Sequence, residues 1–455
     1  MSIYGRDVMS VSGNLTTGKP MPRIAGLWGS VMLGDAVMQL YSAINGVITG
    51  HYLGVDALGG IGAATIIRSF ICAVLLGLMR GFTVPMSNAF GAGDYARMRR
   101  LLWPGTLMGL LLAAVITGLL LPFGNGILHL MQTPQENFVH ASGFLFVSLI
   151  SLTPIALFNM AYYTCHATGN GKLASFGQII VAALTLLLDI VFLVFCRLGA
   201  EGAALSLMVS NLVGGILLLG IILRKNPQLK PQKGDFHFHL GELRSLLGNG
   251  MSNSTSALLM QIAVLMLQSA VNSMGAVYVN AYAIANRLFS ILAFPVSSMD
   301  YTMHDYLCQN AGAGKWERIR QGYRCAMLLV LICCGTFLLL GTVFTKELVT
   351  FLVDAPDGVL VSLVRQYMLI VGLFTLVYGA STVHRYTPAA LGHPGSMALT
   401  GGLEGAGRLL ACLLVYQFGF IGACLLLPFG WVARGIYDIS ASYYYLRKVK
   451  KEQNI

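Results

Sequence analysis

Apolar residues in this chain form long, nearly continuous runs, without the alternation of a half-exposed strand or the single apolar stripe of a soluble helix. Twelve such runs stand out. They lie at about 26–48, 58–83, 101–123, 142–163, 175–196 and 200–223, then at about 246–273, 279–303, 324–344, 364–384, 396–416 and 419–446. Each is close to or above the roughly 20 apolar residues that a helix needs to cross a bilayer. They are too long and too unbroken for the ten-residue alternating strands of a membrane barrel, so the pattern predicts twelve transmembrane helices. The polar stretch 224–243 (RKNPQLKPQKGDFHFHLGEL) separates the first six from the second six. The expected organisation is an N-lobe at 1–223, a linker at 224–243 and a C-lobe at 244–455.

Composition agrees with the pattern: of 455 residues 56% are hydrophobic and 10% charged, against about a quarter charged in soluble domains. The 53 glycines suit closely packed membrane helices. The net charge of +11 would suit a nucleic-acid binder if it were clustered, but it is spread over the connectors as a topology signal. Counting alternate connectors puts 21 Lys and Arg on one side of the membrane, from Arg6, Lys19 and Arg23 through Arg224, Lys225, Lys230, Lys233 and Arg244 to Lys450 and Lys451. Only Arg197, Lys346 and Arg365 fall on the other. This asymmetry predicts that both termini are cytoplasmic. Nine cysteines without metal-like spacing indicate neither a disulfide framework nor a metal site. The polar first two dozen residues, with Pro20 and Pro22, lack the apolar core of a cleavable signal.

An internal repeat appears at an offset of 221 positions. Gly91-Ala92-Gly93-Asp94-Tyr95-Ala96-Arg97-Met98-Arg99 overlays Gly312-Ala313-Gly314-Lys315-Trp316-Glu317-Arg318-Ile319-Arg320 without a gap, and Leu53-Gly54-Val55 overlays Met274-Gly275-Ala276. Six helices separate the two copies, so both have the same orientation, as in transporters built from parallel halves. The predicted fold is an all-α polytopic membrane protein of twelve helices in two parallel six-helix lobes.

Several motifs occur in order along both halves: Gln39-Leu40-Tyr41, Gly50-His51-Tyr52-Leu53-Gly54, Gly91-Ala92-Gly93-Asp94, Leu267-Gln268-Ser269-Ala270-Val271-Asn272, Ala281-Tyr282-Ala283-Ile284-Ala285-Asn286-Arg287 and Gln309-Asn310-Ala311-Gly312-Ala313-Gly314-Lys315. On these the chain resembles the multidrug and toxin extrusion (MATE) transporters along nearly its whole length. The resemblance implies a secondary antiporter that exports amphipathic, often cationic compounds by alternating access against an inward flow of protons or sodium. Its N-lobe cation site would fall on helices 1, 5 and 6, at Asn45, Thr185, Asp189 and Ser206. The sequence departs from the family pattern there: Asn45 stands where an aspartate is common, Thr185 where an asparagine is, and Ile190 where proline follows the helix 5 aspartate. Leu207 takes the position of the helix 6 threonine, with Ser206 beside it. Acidic positions that another subgroup uses in helices 7 and 10 correspond to Met260 and Ala380.

An ionisable group inside a bilayer costs at least about 2.5 kcal/mol, so it needs a partner, a wet cavity or a neutral state. Asp189 lies in the middle of TLLLDIVFLVF and is either the titrating group of the coupling chemistry or a neutral acid bonded to Asn45 or Ser206. Asp300 and His304, four apart on one helical face, offer a possible second titrating site unless they simply lie at the cytoplasmic end of their helix. Glu404 with Arg408, and Arg434 with Asp438, read as intrahelical structural pairs. Arg68 and Arg80 on helix 2 would disfavour cationic cargo if they faced a cavity, although Arg80 also has the option of snorkelling to the headgroups. Polar or aromatic groups on otherwise apolar helices, namely Gln39, Tyr41, Asn159, Tyr163, Gln261, Gln268, Asn272 and Tyr282, with Arg287 from the family motif, are candidates for cargo binding. The same residue types also bond helix to helix.

The expected function is secondary antiport of amphipathic small molecules or drugs, proton-coupled because a lone desolvated carboxylate binds a proton without the several oxygens that sodium requires. The alternative is a flippase for a lipid-linked saccharide or another amphipathic lipid. No nucleophile constellation or nucleotide loop argues for an enzyme. No cofactor beyond the coupling ion, no metal and no nucleic acid is expected. The expected setting is a monomer among membrane lipids, in a bacterial plasma membrane.

Overall fold

The computed structural model describes residues 13–237 and 239–452, and among them it is helical with no strand. Twelve spans account for the chain, the fourth as a bent pair: α1 Pro20–Gly54, α2 Ala57–Ala92, α3 Tyr95–Leu130, α4 (Gln135–Ile150 and Leu152–Ala167, bent by 48°), α5 Gly171–Phe195 and α6 Gly199–Lys225. The second half comprises α7 Leu240–Asn272, α8 Ala276–Gly312, α9 Trp316–Val343, α10 Gly358–Ala390, α11 Gly395–Phe418 and α12 Phe420–Glu452. Most run several residues beyond the apolar segments, because polar residues at the ends continue the helix once it is nucleated. Pro20 illustrates this at the start of α1, where a proline lacks only an N–H that would be unsatisfied anyway.

The repeat is visible in the backbone. Gly54 (φ 81°) and Gly275 (φ 96°) break the chain between the first and second spans of each half, and Gly93 (φ 76°) and Gly314 (φ 67°) turn it after the second. Both pairs keep the offset of 221. At these left-handed positions a Cβ would be strained, which explains why the glycines recur where flanking residues differ.

The chain forms two units. One holds Gly29–Ser254; the other holds Leu15–Trp28 and the chain from Thr255 onward. The division therefore falls inside α7 and not at the polar stretch 224–243. That stretch packs on the first unit: Arg99 binds Asp235 (Nε to Oδ2, 3.0 Å), the Gln228 carbonyl (2.9 Å) and Gln232 (2.8 Å), while Trp103 donates to the Leu229 carbonyl (3.1 Å). The first part of α7 follows it there, with Asn253 and Ser254 donating to the Gly77 and Val74 carbonyls of α2 at 2.8 and 2.9 Å. Close approach of backbones permits this, since a Cβ on Gly81 would come within 2.3 Å of the Asn249 carbonyl oxygen. In the second unit Arg318 clamps the segment before α1 through the Gly18 and Leu15 carbonyls, at 2.7 and 3.0 Å, and Trp28 donates to the Pro295 carbonyl at 2.8 Å.

Candidate functional site

Span α5 starts at an Asn170 cap, whose side chain accepts from the Leu173 amide. It stays α-helical as far as Asp189 and then widens into a π-helix over Ile190–Phe195, with the Cys196 amide bonded five residues back to Val191 at 2.9 Å. Such widening, often found at functional sites, begins at the residue where the family resemblance leads one to expect proline. No sequence signal announces it. Thr185 and Asp189, four residues apart, share a face, and both are fully buried.

Asn45 of α1 meets them there. Its Nδ2 donates to Asp189 Oδ2 at 2.5 Å. Ser206 of α6, also fully buried, stands beside the same carboxylate, but its hydroxyl proton goes to the Gly202 carbonyl at 3.0 Å. Asp189 Oδ1 is consequently buried without a hydrogen-bond partner. The four residues marked for the N-lobe site thus lie together. The site has an open acceptor at one oxygen and a donated hydrogen bond at the other, so a proton can be added without breaking the Asn45 contact.

One turn deeper lies a second layer. Thr185 Oγ1 donates to the Val181 carbonyl at 2.7 Å, so in its hydrogen bond with Tyr41 the phenol is the donor. The Tyr41 phenol also lies within the fields of Asp189 and of Arg68 from α2. Arg68 is half-buried, and its Nε is buried with no partner. Neither the neighbourhood of Tyr41 and Arg68 nor that of Arg68 and the Asp189 site follows from sequence spacing.

The remaining N-lobe candidates are more ordinary. Asn159 donates to the Ile155 carbonyl of its own helix (2.8 Å), Tyr163 is buried, and Gln39 is exposed.

In the second unit Asp300, His304 and Asp305 are all buried, so this end of α8 is not a surface tip. His304 Nδ1 lies 2.8 Å from Asp305 Oδ1, its sequence neighbour, whereas Asp300 is held by Tyr386 (3.3 Å) and Arg385 (3.7 Å). The Glu404–Arg408 pair forms, at 2.6 Å, but Arg434 of α12 takes the other carboxylate oxygen at 2.8 Å. Arg434 is therefore bound across helices, and the expected pairing with Asp438 gives way to Ser381 and Thr400, which donate to Asp438 at 2.5 and 2.6 Å. Among the cargo candidates Tyr282 is buried edge-on against Tyr367, with centroids 5.6 Å apart. Gln268 donates to Asn272 at 2.8 Å with both exposed, Gln261 is half-buried, and Arg287 is exposed. The structure brings none of these into one cluster.

Two six-helix units of apolar spans, with ionisable groups buried inside them, define a polytopic transporter and not an enzyme. The MatE family profile matches residues 31–192 and 254–394, and the chain belongs to that family of multidrug efflux transporters, which run on ion gradients. It is 22% identical to the probable multidrug resistance protein YoeA of Bacillus subtilis over 371 residues, covering 80% of this chain and 79% of that one. To the probable multidrug resistance protein NorM of Thermotoga maritima it is 23% identical over 352 residues, 75% of this chain and 74% of the other. Its fold is similar to that of the Vibrio cholerae MATE transporter VcmN in the bent form, with TM-score 0.86 at 21% identity over 94% of this chain and 98% of that one.

Proposed function

We propose that this protein is a proton-coupled antiporter that exports amphipathic small molecules by alternating access, and that Asp189 binds the coupling proton. The carrying observation is the carboxylate itself, fully buried in a membrane span, with Asn45 on Oδ2 and no partner on Oδ1. Protonation at Oδ1 makes the side chain a neutral acid that still accepts from Asn45. Loss of that proton leaves a buried negative charge which a cargo or an opening to water must offset. Sodium suits the site less well. It requires several oxygens, yet Asn45 turns its amino group to the carboxylate, and the hydroxyl protons of Thr185 and Ser206 are committed to backbone carbonyls.

The chain works as a monomer among lipids of the plasma membrane in this reading, with both termini and the segment 224–243 cytoplasmic. The 21 to 3 distribution of Lys and Arg supports that orientation. The test is transport by purified protein in liposomes under separately imposed proton and sodium gradients. Asp189→Asn keeps the shape of the side chain but does not titrate. It should fold normally and lose transport driven by a pH gradient, while Asn45→Asp should introduce a response to sodium. Undiminished pH-driven transport by Asp189→Asn would overturn the assignment.

A further inference from the structure

Arg68 is the anomaly of the N-lobe. It lies eleven residues into α2, about 16 Å along the axis at 1.5 Å per residue, or near half of a hydrocarbon core about 30 Å thick. A guanidinium at that depth costs roughly 2.5–3.5 kcal/mol even on insertion scales and needs a counter-charge. The same chain shows how it meets that need elsewhere: within spans of the second unit Arg385, Arg408 and Arg434 each hold a carboxylate, at 3.7, 2.6 and 2.8 Å. Arg68 has none within ion-pair distance, and its buried Nε is unbonded. The groups that face it electrostatically are the Tyr41 phenol and the Cys72 thiol, with the Asp189 carboxylate acting on the far side of Tyr41. Asn45, which binds Asp189, is four residues from Tyr41 on α1, so the two poles are offset by about 6 Å along the helix axis.

We propose that the cargo supplies the missing carboxylate: the site takes a zwitterionic amphiphile whose anionic group binds Arg68 and whose cationic group lies towards Asp189. This deepens the reading of Asp189 as proton carrier and rests on it. Charge arithmetic selects the class. A permanent cation is attracted by Asp189 but repelled by Arg68 one turn away. A simple anion binds best when Asp189 is protonated, which links proton and cargo in the same state and opposes exchange. A zwitterion uses both poles when Asp189 is ionised and loses its cationic contact when the proton arrives, so proton binding expels it, as antiport demands.

Rhodamine B, a zwitterion, and its ethyl ester, a cation with the same chromophore, isolate the carboxylate. Their export by proteoliposomes under an imposed pH gradient is compared for the wild type, Arg68→Gln, Arg68→Lys and Asp189→Asn. A hydrogen bond to a charged group contributes about 1.5–3 kcal/mol, so the wild type should prefer rhodamine B by roughly tenfold or more. Arg68→Gln should abolish that preference while still exporting the ester, and Arg68→Lys should retain part of it. Equal or better export of the ester by the wild type, or an unchanged ratio in Arg68→Gln, overturns the proposal. If Arg68→Gln does not fold, the wild-type ratio and the lysine variant decide. Failure of the Asp189 reading is seen separately, as gradient-driven export by Asp189→Asn, and leaves the ratio measurement intact.

Discussion

Replacing Glu404 with glutamine should be among the most damaging single substitutions in the second unit. The carboxylate is 2% exposed and neutralises two guanidiniums, Arg408 at 2.6 Å and Arg434 at 2.8 Å. Glutamine retains the volume and one acceptor but removes the charge, leaving two buried cations whose Nε atoms have no other partner. Breaking a buried pair by deleting one member costs about 3–5 kcal/mol, because the orphaned charge stays out of water. Here two charges are orphaned, so Glu404→Gln should lie at or above the top of that range. Arg408→Gln should cost less, since Glu404 then keeps Arg434, which is also anchored by the Thr382 hydroxyl at 3.2 Å and lies 5.0 Å from the centre of the Tyr378 ring. The double variant Glu404→Gln with Arg408→Leu should recover part of the loss, because it removes one orphan. Thermal unfolding of purified protein in detergent, followed by monodisperse peak height on size exclusion, ranks the three. Should Arg408→Gln prove as unstable as Glu404→Gln, the shared carboxylate is not the centre of the network and the reasoning fails.

Other expectations can be checked more simply. Arg99→Ala removes the clamp on segment 228–235, so trypsin should cleave at Lys230 or Lys233 faster than in the wild type, with the elution volume unchanged. Gly401→Ala would place a Cβ 2.4 Å from the Ser256 Cα, backbone that does not yield easily, so it should lower the unfolding midpoint clearly, whereas Gly26→Ala, with nothing within 4 Å, should leave it nearly unchanged. Impermeant thiol reagents added to intact cells should fail to label a cysteine placed at Lys233 and should label one at Lys346; the reverse pattern would invert the topology.

The sequence by itself determined the class, the number of spans and the repeat. Apolar runs of spanning length admit one backbone solution in lipid, since every amide must be satisfied within its own helix, and that requirement is local. The left-handed turns at Gly54, Gly93, Gly275 and Gly314 are local too, so the repeat could be read from letters before it was seen as φ angles. Pairs within one helix fared in proportion: Glu404 and Arg408 do meet, while Arg434 passes over Asp438 for a carboxylate thirty residues back. A sequence gives the face on which a residue lies but not the helix opposite, and a buried charge chooses the partner that leaves least of it unsatisfied. For the same reason Asp189 was recognisable as a site, and its Asn45 contact was foreseeable from the family resemblance. The placing of Tyr41 between Asp189 and Arg68 was not. That arrangement depends on three helices packing side by side and on a π-turn that no residue type encodes, so tertiary structure alone turned an unexplained arginine into half of a binding site.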